Sequence, residues 1–158
     1  MIGNYLTVLE ESLRQKLQVL AEIQEYNLQQ ENIFGSDNVD MSKFDEYVDR
    51  KGELIDKLTG LDRGFERLYV KVSAELKGNQ EKYAEQIMTL QHLISRITEE
   101  SITVQAQEAR NKKLIEDYFK REKEGIRKNR VSSKVAYDYY KSMSKSSVVM
   151  PQFMDSKK

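Results

Sequence analysis

Between Phe44 and Val72, apolar residues recur at alternating spacings of three and four: Phe44, Tyr47, Leu54, Leu58, Leu61, Phe65, Leu68 and Val72, with Lys51 the one polar residue on the beat. Val48, Ile55, Tyr69 and Leu76 lie one position further on and widen the stripe. A mean spacing of about 3.5 residues carries these side chains along one face of a helix, and that face needs apolar cover from another helix.

The same beat continues on either side. From about Asn4 to Gln30, Leu6, Leu9, Leu13, Leu17, Leu20 and Ile23 predict a first helix, with Asn4 placed to cap it. Gly35, Ser36, Asp37 and Asn38 interrupt the pattern and predict a loop over residues 32–41. Ser42, three residues before Asp45, opens the second helix with capping-box spacing. That helix runs to Lys77, where Gly78 supplies a stop and Asn79 a new cap. So short a connection returns the third helix antiparallel to the second. Tyr83, Ile87, Leu90, Ile94 and Ile97 keep the beat, and Val104, Ile115 and Tyr118 extend it. Ser101, Glu108 and Asn111 occupy seam positions between them, so the stripe is polar from Gln105 to Lys113 and recovers at Leu114, Ile115, Tyr118 and Phe119. A third helix reaching Gly125 is on the order of 70 Å long, against roughly 50 Å for the second, which predicts an overhang or a bend.

Beyond Gly125 stands a basic stretch, Arg127, Lys128, Asn129 and Arg130. Ser132 or Ser133 then caps a short helix holding Val135, Ala136, Tyr139, Tyr140 and Met143, and residues 144–158 read as extended, with an apolar knot from Val148 to Met154. The expected fold is all-α: an elongated antiparallel bundle of three long helices over residues 1–125, then a basic linker, a short helix and an extended C-terminal tail over residues 126–158.

Composition agrees. The chain's 158 residues suit one domain, its single proline is Pro151, and 33% of residues are charged against 9% aromatic, as in an elongated helical protein with much solvated surface. The net charge of zero hides an asymmetry. From Lys112 onward there are 13 Lys and Arg against 6 Asp and Glu, a surplus of +7; with 26 of each sign in all, residues 1–111 keep 13 against 20, or −7. The acidic body and basic end can pair with each other, or the end can meet an acidic partner. There is no cysteine, so disulfides, thiol nucleophiles and thiolate metal sites are excluded. No basic region followed by an apolar run opens the chain, and no apolar stretch approaches the ~20 residues of a membrane span. The expectation is a soluble cytoplasmic protein.

Catalytic chemistry has little to work with. His92 is the only histidine and lies off the seam, which excludes a di-iron bundle built from paired Glu-x-x-His motifs and fits an exposed helical residue. No glycine-rich loop follows a strand, so phosphate-cradling nucleotide sites are absent. No enzyme activity, metal or cofactor is expected. Gly52, Gly60 and Gly64 each cost a helix ~1 kcal/mol relative to alanine and mark either a softer hinge or, the favoured reading, a close approach to helix one. Residues 120–134 carry seven basic and two acidic residues beside Tyr118, Phe119 and Tyr137, but an acidic body repels phosphate, which argues against nucleic acid as partner.

The second helix, Tyr47-Val48-Asp49-Arg50-Lys51-Gly52-Glu53-Leu54-Ile55-Asp56-Lys57-Leu58 followed by Leu61-Asp62-Arg63-Gly64-Phe65-Glu66, then Gln91-His92-Leu93-Ile94 and the closing Pro151-Gln152-Phe153-Met154-Asp155, resembles the FlgN-like flagellar export chaperones. These serve the hook–filament junction proteins; the related filament-cap chaperones are the second nearest type. The resemblance covers residues 1–125 as a bundle and carries no catalytic signature. It implies a cytoplasmic protein that shelters an amphipathic helix of a hook–filament junction or cap subunit and hands it to the export apparatus, with the C-terminal part engaging the client.

From the residues themselves, the candidate partner-binding anchors are Ile115, Tyr118 and Phe119 on the expected overhang, and Ile126, Tyr137, Tyr140, Met143 and Phe153 beyond it. Two rival readings stand beside the chaperone: a structural coiled-coil scaffold in which the seams zip a homodimer, and a nucleic-acid-binding regulator that uses the basic end.

Overall fold

The computed structural model describes residues 2–123, and three long helices account for most of them. Helix α1 spans Ile2–Phe34, α2 Met41–Leu76 and α3 Ala84–Glu122, with a 3-10 turn over Gln80–Tyr83 leading into α3. At 33, 36 and 39 residues, the helices are about 50, 54 and 59 Å long. No strand occurs among the described residues. The short helix and tail expected over residues 126–158, with Ile126, Tyr137, Tyr140, Met143 and Phe153, lie outside the described residues.

Contacts fix the directions. Lys16 meets Asp62, Asn27 meets Lys51 and Phe34 meets Phe44, so numbers rise along α1 as they fall along α2. Gln86 lies at Gly3, Glu100 at Gln24, Gln107 at Asn27 and Tyr118 at Phe34, so α3 runs beside α1 in the same direction. Helix α1 packs closely on both neighbours along its length, whereas the backbones of α2 and α3 approach each other far less closely. The ends at Phe34, Phe44 and Tyr118 are level, so α3 has no long overhang among the described residues.

The seams are sharper than the apolar pattern alone predicts. On α2 the buried positions are Met41, Phe44, Val48, Lys51, Ile55, Leu58, Phe65 and Val72. With Asp62, Tyr69 and Leu76 they form an unbroken three-four alternation, while Tyr47, Leu54, Leu61 and Leu68 flank it half-buried. On α1 the beat from Leu13 to Leu20 passes through buried Lys16, and Leu17 is the half-buried flank. A step of four from Leu9 to Leu13 followed by another to Leu17 would drift around the helix; the step of three to Lys16 holds the seam in line.

Helix ends also depart from expectation in small ways. Asp40, not Ser42, caps α2, its carboxylate accepting from the Lys43 backbone N–H at 3.0 Å. Gly78 adopts φ +88, the left-handed conformation that only glycine takes without strain, and stops α2. Asn79 faces backwards: its side-chain amide donates to the Glu75 carbonyl at 3.2 Å and its backbone N–H to the Leu76 carbonyl at 2.8 Å. It therefore closes α2 and gives α3 no side-chain cap.

The close approach expected at Gly52, Gly60 and Gly64 is absent. A Cβ at any of the three would meet nothing within 4 Å, and Gly60 and Gly64 are exposed. These glycines carry the entropic cost of a helical glycine without any packing return. Gly60→Ala and Gly64→Ala should therefore each stabilise the fold by about 0.5–1 kcal/mol, read as a higher midpoint in urea unfolding.

Candidate partner-binding end of the bundle

The polar interruption in the stripe of α3 becomes, in three dimensions, one buried layer shared by all three helices. Lys51 on α2 has no exposed surface, and its ammonium donates to Asn27 Oδ1 on α1 at 2.6 Å and to both Glu108 oxygens on α3 at 3.0 Å. Asn27 is the hub: its amide donates to Gln107 Oε1 at 3.0 Å, and its backbone carbonyl accepts from Asn111 Nδ2 at 3.1 Å. One turn on, buried Gln30 donates to the Phe44 carbonyl at 3.2 Å. Burial lowers the Lys51 pKa from 10.5 to about 8, against the pull of Glu108, which favours the charged form by charge and hydrogen bond. A second polar pair crosses the α1–α2 seam where Lys16 meets Asp62 at 2.6 Å. Burial raises the Asp62 carboxyl, and Lys16 opposes the shift.

Past this layer, where α1 finishes, α2 begins and α3 leaves, the apolar core continues into an aromatic end. Met41, Phe44, Val48 and Ile115 are buried in it. Phe34 stands edge-on to Phe44 at 5.4 Å between ring centroids and to Tyr118 at 5.9 Å, and Tyr118 stands edge-on to Phe119 at 5.6 Å. Ile33, Phe34, Val39, Tyr118 and Phe119 are half-buried around it.

The anchors expected from the sequence divide accordingly. Ile115 is part of the protein's own core, with 3% of its surface exposed, so it supports the end from beneath. Tyr118 and Phe119 are brought together with Phe34 and keep exposed edges. The other five lie outside the described residues. Phe34 escapes the sequence reading because it falls at the edge of the predicted loop; the three-four beat of α1, continued through Asn27 and Gln30, lands on it.

Among the described residues no cluster of His, Cys, Asp or Glu is placed to hold a metal, and no helix is long and apolar enough to cross a membrane. His92 is exposed on α3. Comparison with protein-family models, curated proteins and solved structures gives no match for this chain. The likeness to export chaperones therefore rests on the residues quoted above.

Removing one member of the buried pair should cost far more than removing both. Lys51→Met strands the Glu108 carboxylate and should lower stability by about 3–5 kcal/mol, whereas Lys51→Met with Glu108→Leu should recover most of it; chemical denaturation of the three proteins checks this. The lowered pKa also has a sign. Between about pH 8 and 10.5 the unfolded chain binds the Lys51 proton and the folded chain does not, so this group's contribution to stability rises with pH across that window and is lost as pH falls through 8. The stability of the wild type relative to the double variant should climb from pH 8 to pH 10, and a flat difference would refute the assignment.

Proposed function

We propose that this protein is a cytoplasmic helix-binding chaperone of the flagellar export type. It holds an amphipathic helix of a hook–filament junction or filament-cap subunit until the export apparatus takes it. The observation that carries the reading is the half-exposed aromatic end, Phe34, Tyr118 and Phe119, set beyond a buried polar layer at the point where α3 leads into the basic residues 124–158. A helix-in-groove partner needs a few large apolar anchors rather than a deep pocket. Each such side chain contributes about 1.5–3 kcal/mol when buried, before ordering costs. Micromolar affinity, about 8 kcal/mol net of ordering costs, therefore takes several such anchors acting together, and is tight enough to shelter a client and loose enough to release it.

The polar layer supports this division of labour. Lys51, Glu108 and Asn27 hold the three helices level beneath the half-exposed aromatic end. The resemblance supplies the class of client and the cellular setting, and Ile126, Tyr137, Tyr140, Met143 and Phe153 complete the proposed surface. On this reading the protein has no catalytic role and needs no cofactor, and its partners are proteins, not nucleic acid.

Tyr118→Ser with Phe119→Ser should reduce capture of purified junction or cap protein by about tenfold or more while circular dichroism stays unchanged. Undiminished capture by the folded double variant would reject the aromatic end as the client site.

A further inference from the structure

The flank of α3 turned away from α1 has a composition unlike the rest of the chain. Residues that face α1 recur every seven along α3: Gln86 at Gly3, Glu100 at Gln24 and Gln107 at Asn27. The seam follows at Leu90, Ile94, Ile97, Val104, Glu108, Asn111 and Ile115. On the other side of the seam lie Gln91, Thr98 and Gln105, and outside them Met88, Ser95, Ile102 and Ala109, again seven apart. None of these positions carries a charge, in a chain where 33% of residues do. Met88 is 67% exposed and Ile102 60%, two of the most exposed large apolar residues among the described ones, and α2 stands too far off to cover them.

A strip without charge selects its partner by shape. Along the outer row the sizes alternate: Met88 large, Ser95 small, Ile102 large, Ala109 small. We infer that this strip is an antiparallel self-association surface, occupied by α3 of a second copy across a two-fold axis near Thr98. In that register Met88 falls opposite the other copy's Ala109 and Ile102 opposite its Ser95, so each large side chain fills the space beside a small one. Gln91 comes beside the other copy's Gln105, where two amides can hydrogen-bond. A parallel arrangement stacks Met88 on Met88 and Ile102 on Ile102 and leaves gaps at Ser95 and Ala109.

Charges at the margins agree in part. The same register brings Glu85 beside the other copy's Lys113 twice, once at each end, and places Glu99 near its own copy at the axis. The strip from Met88 to Ala109 is about 32 Å long, and one helix face of that length buries roughly 300–400 Å² per copy, below a standard stable interface. The dimer is therefore weak and concentration-dependent, with a Kd on the order of 10–100 μM. The surface is distinct from the aromatic end, so the dimer stands or falls independently of the chaperone reading.

Sedimentation velocity on the full chain, from about 5 to about 500 μM, should show a monomer–dimer equilibrium. Ile102→Asp should weaken it about tenfold or more, and Glu99→Gln should tighten it. Because the chain has no cysteine, disulfide trapping reads the geometry directly. Thr98→Cys should cross-link with itself, and Ser95→Cys mixed with Ile102→Cys should form the mixed dimer in preference to either homodimer, whereas Gln18→Cys on the outer face of α1 should cross-link poorly. A monomer across the whole range, a dimer indifferent to Ile102→Asp, or Thr98→Cys trapping no faster than Gln18→Cys would each overturn the proposal. Because all four substituted α3 positions, Ser95, Thr98, Glu99 and Ile102, are exposed, none threatens folding.

Discussion

A buried ammonium is tolerable only when its hydrogens meet acceptors, and Lys51 meets this demand with groups from both other helices. Asn27 accepts from one side and Glu108 from the other, while Asn27 itself is pinned by Gln107 and Asn111. The energetic asymmetry of such a layer matters more than its net worth: intact, it is close to neutral against an apolar replacement, but broken at one partner it is expensive. This asymmetry makes it a register device. All three seams run as unbroken three-four alternations, so a slip of one heptad between α1 and α2 would leave apolar residues stacked on apolar residues nearly everywhere. It would also set Lys51 against Leu20 or Phe34, where no acceptor waits. The Lys16–Asp62 pair adds a second fixed point in the same seam.

With register held there, the two ends of the molecule acquire different characters. On one side of the layer the core is continuous, from Ile23, Ile55 and Val104 down to Leu6, Val72 and Leu90. On the other side a small aromatic cap of Phe34, Phe44, Tyr118 and Phe119 is closed by edge-on ring contacts, with its outer residues half in water. The half-exposed end of a bundle has less cooperative support than the middle of its helices, and elements that bind and release partners are drawn from such regions.

The unequal spacing of the helices has its own consequence. Because α1 packs tightly on both neighbours and α2 stands off from α3, the outer flank of α3 between Met88 and Ala109 faces solvent with neither charge nor cover. The chain thus presents two surfaces of different chemistry. One is aromatic and terminal; the other is lateral, uncharged and alternately large and small.

Much of this was legible in the residues. The three-four beat located three helices and the turn at Gly78, because helical periodicity depends only on neighbours in sequence, and the polar break from Gln105 to Lys113 was visible as an anomaly in α3. What the beat could not say was which of two overlapping phases formed the centre of α2. Tyr47 and Leu54 satisfy the pattern as well as Val48 and Ile55, and only the position of α1 decides between them. Nor could it say that Lys51, Asn27 and Glu108, 24 and 57 residues apart from one another along the chain, would fall at one level. It read the glycines of α2 as contacts, because one-dimensional spacing does not distinguish a helix face that touches a neighbour from one that faces water. Local periodicity determined the helices; the meeting of distant polar groups, which depends on how three helices align in space, was decided only by the tertiary structure.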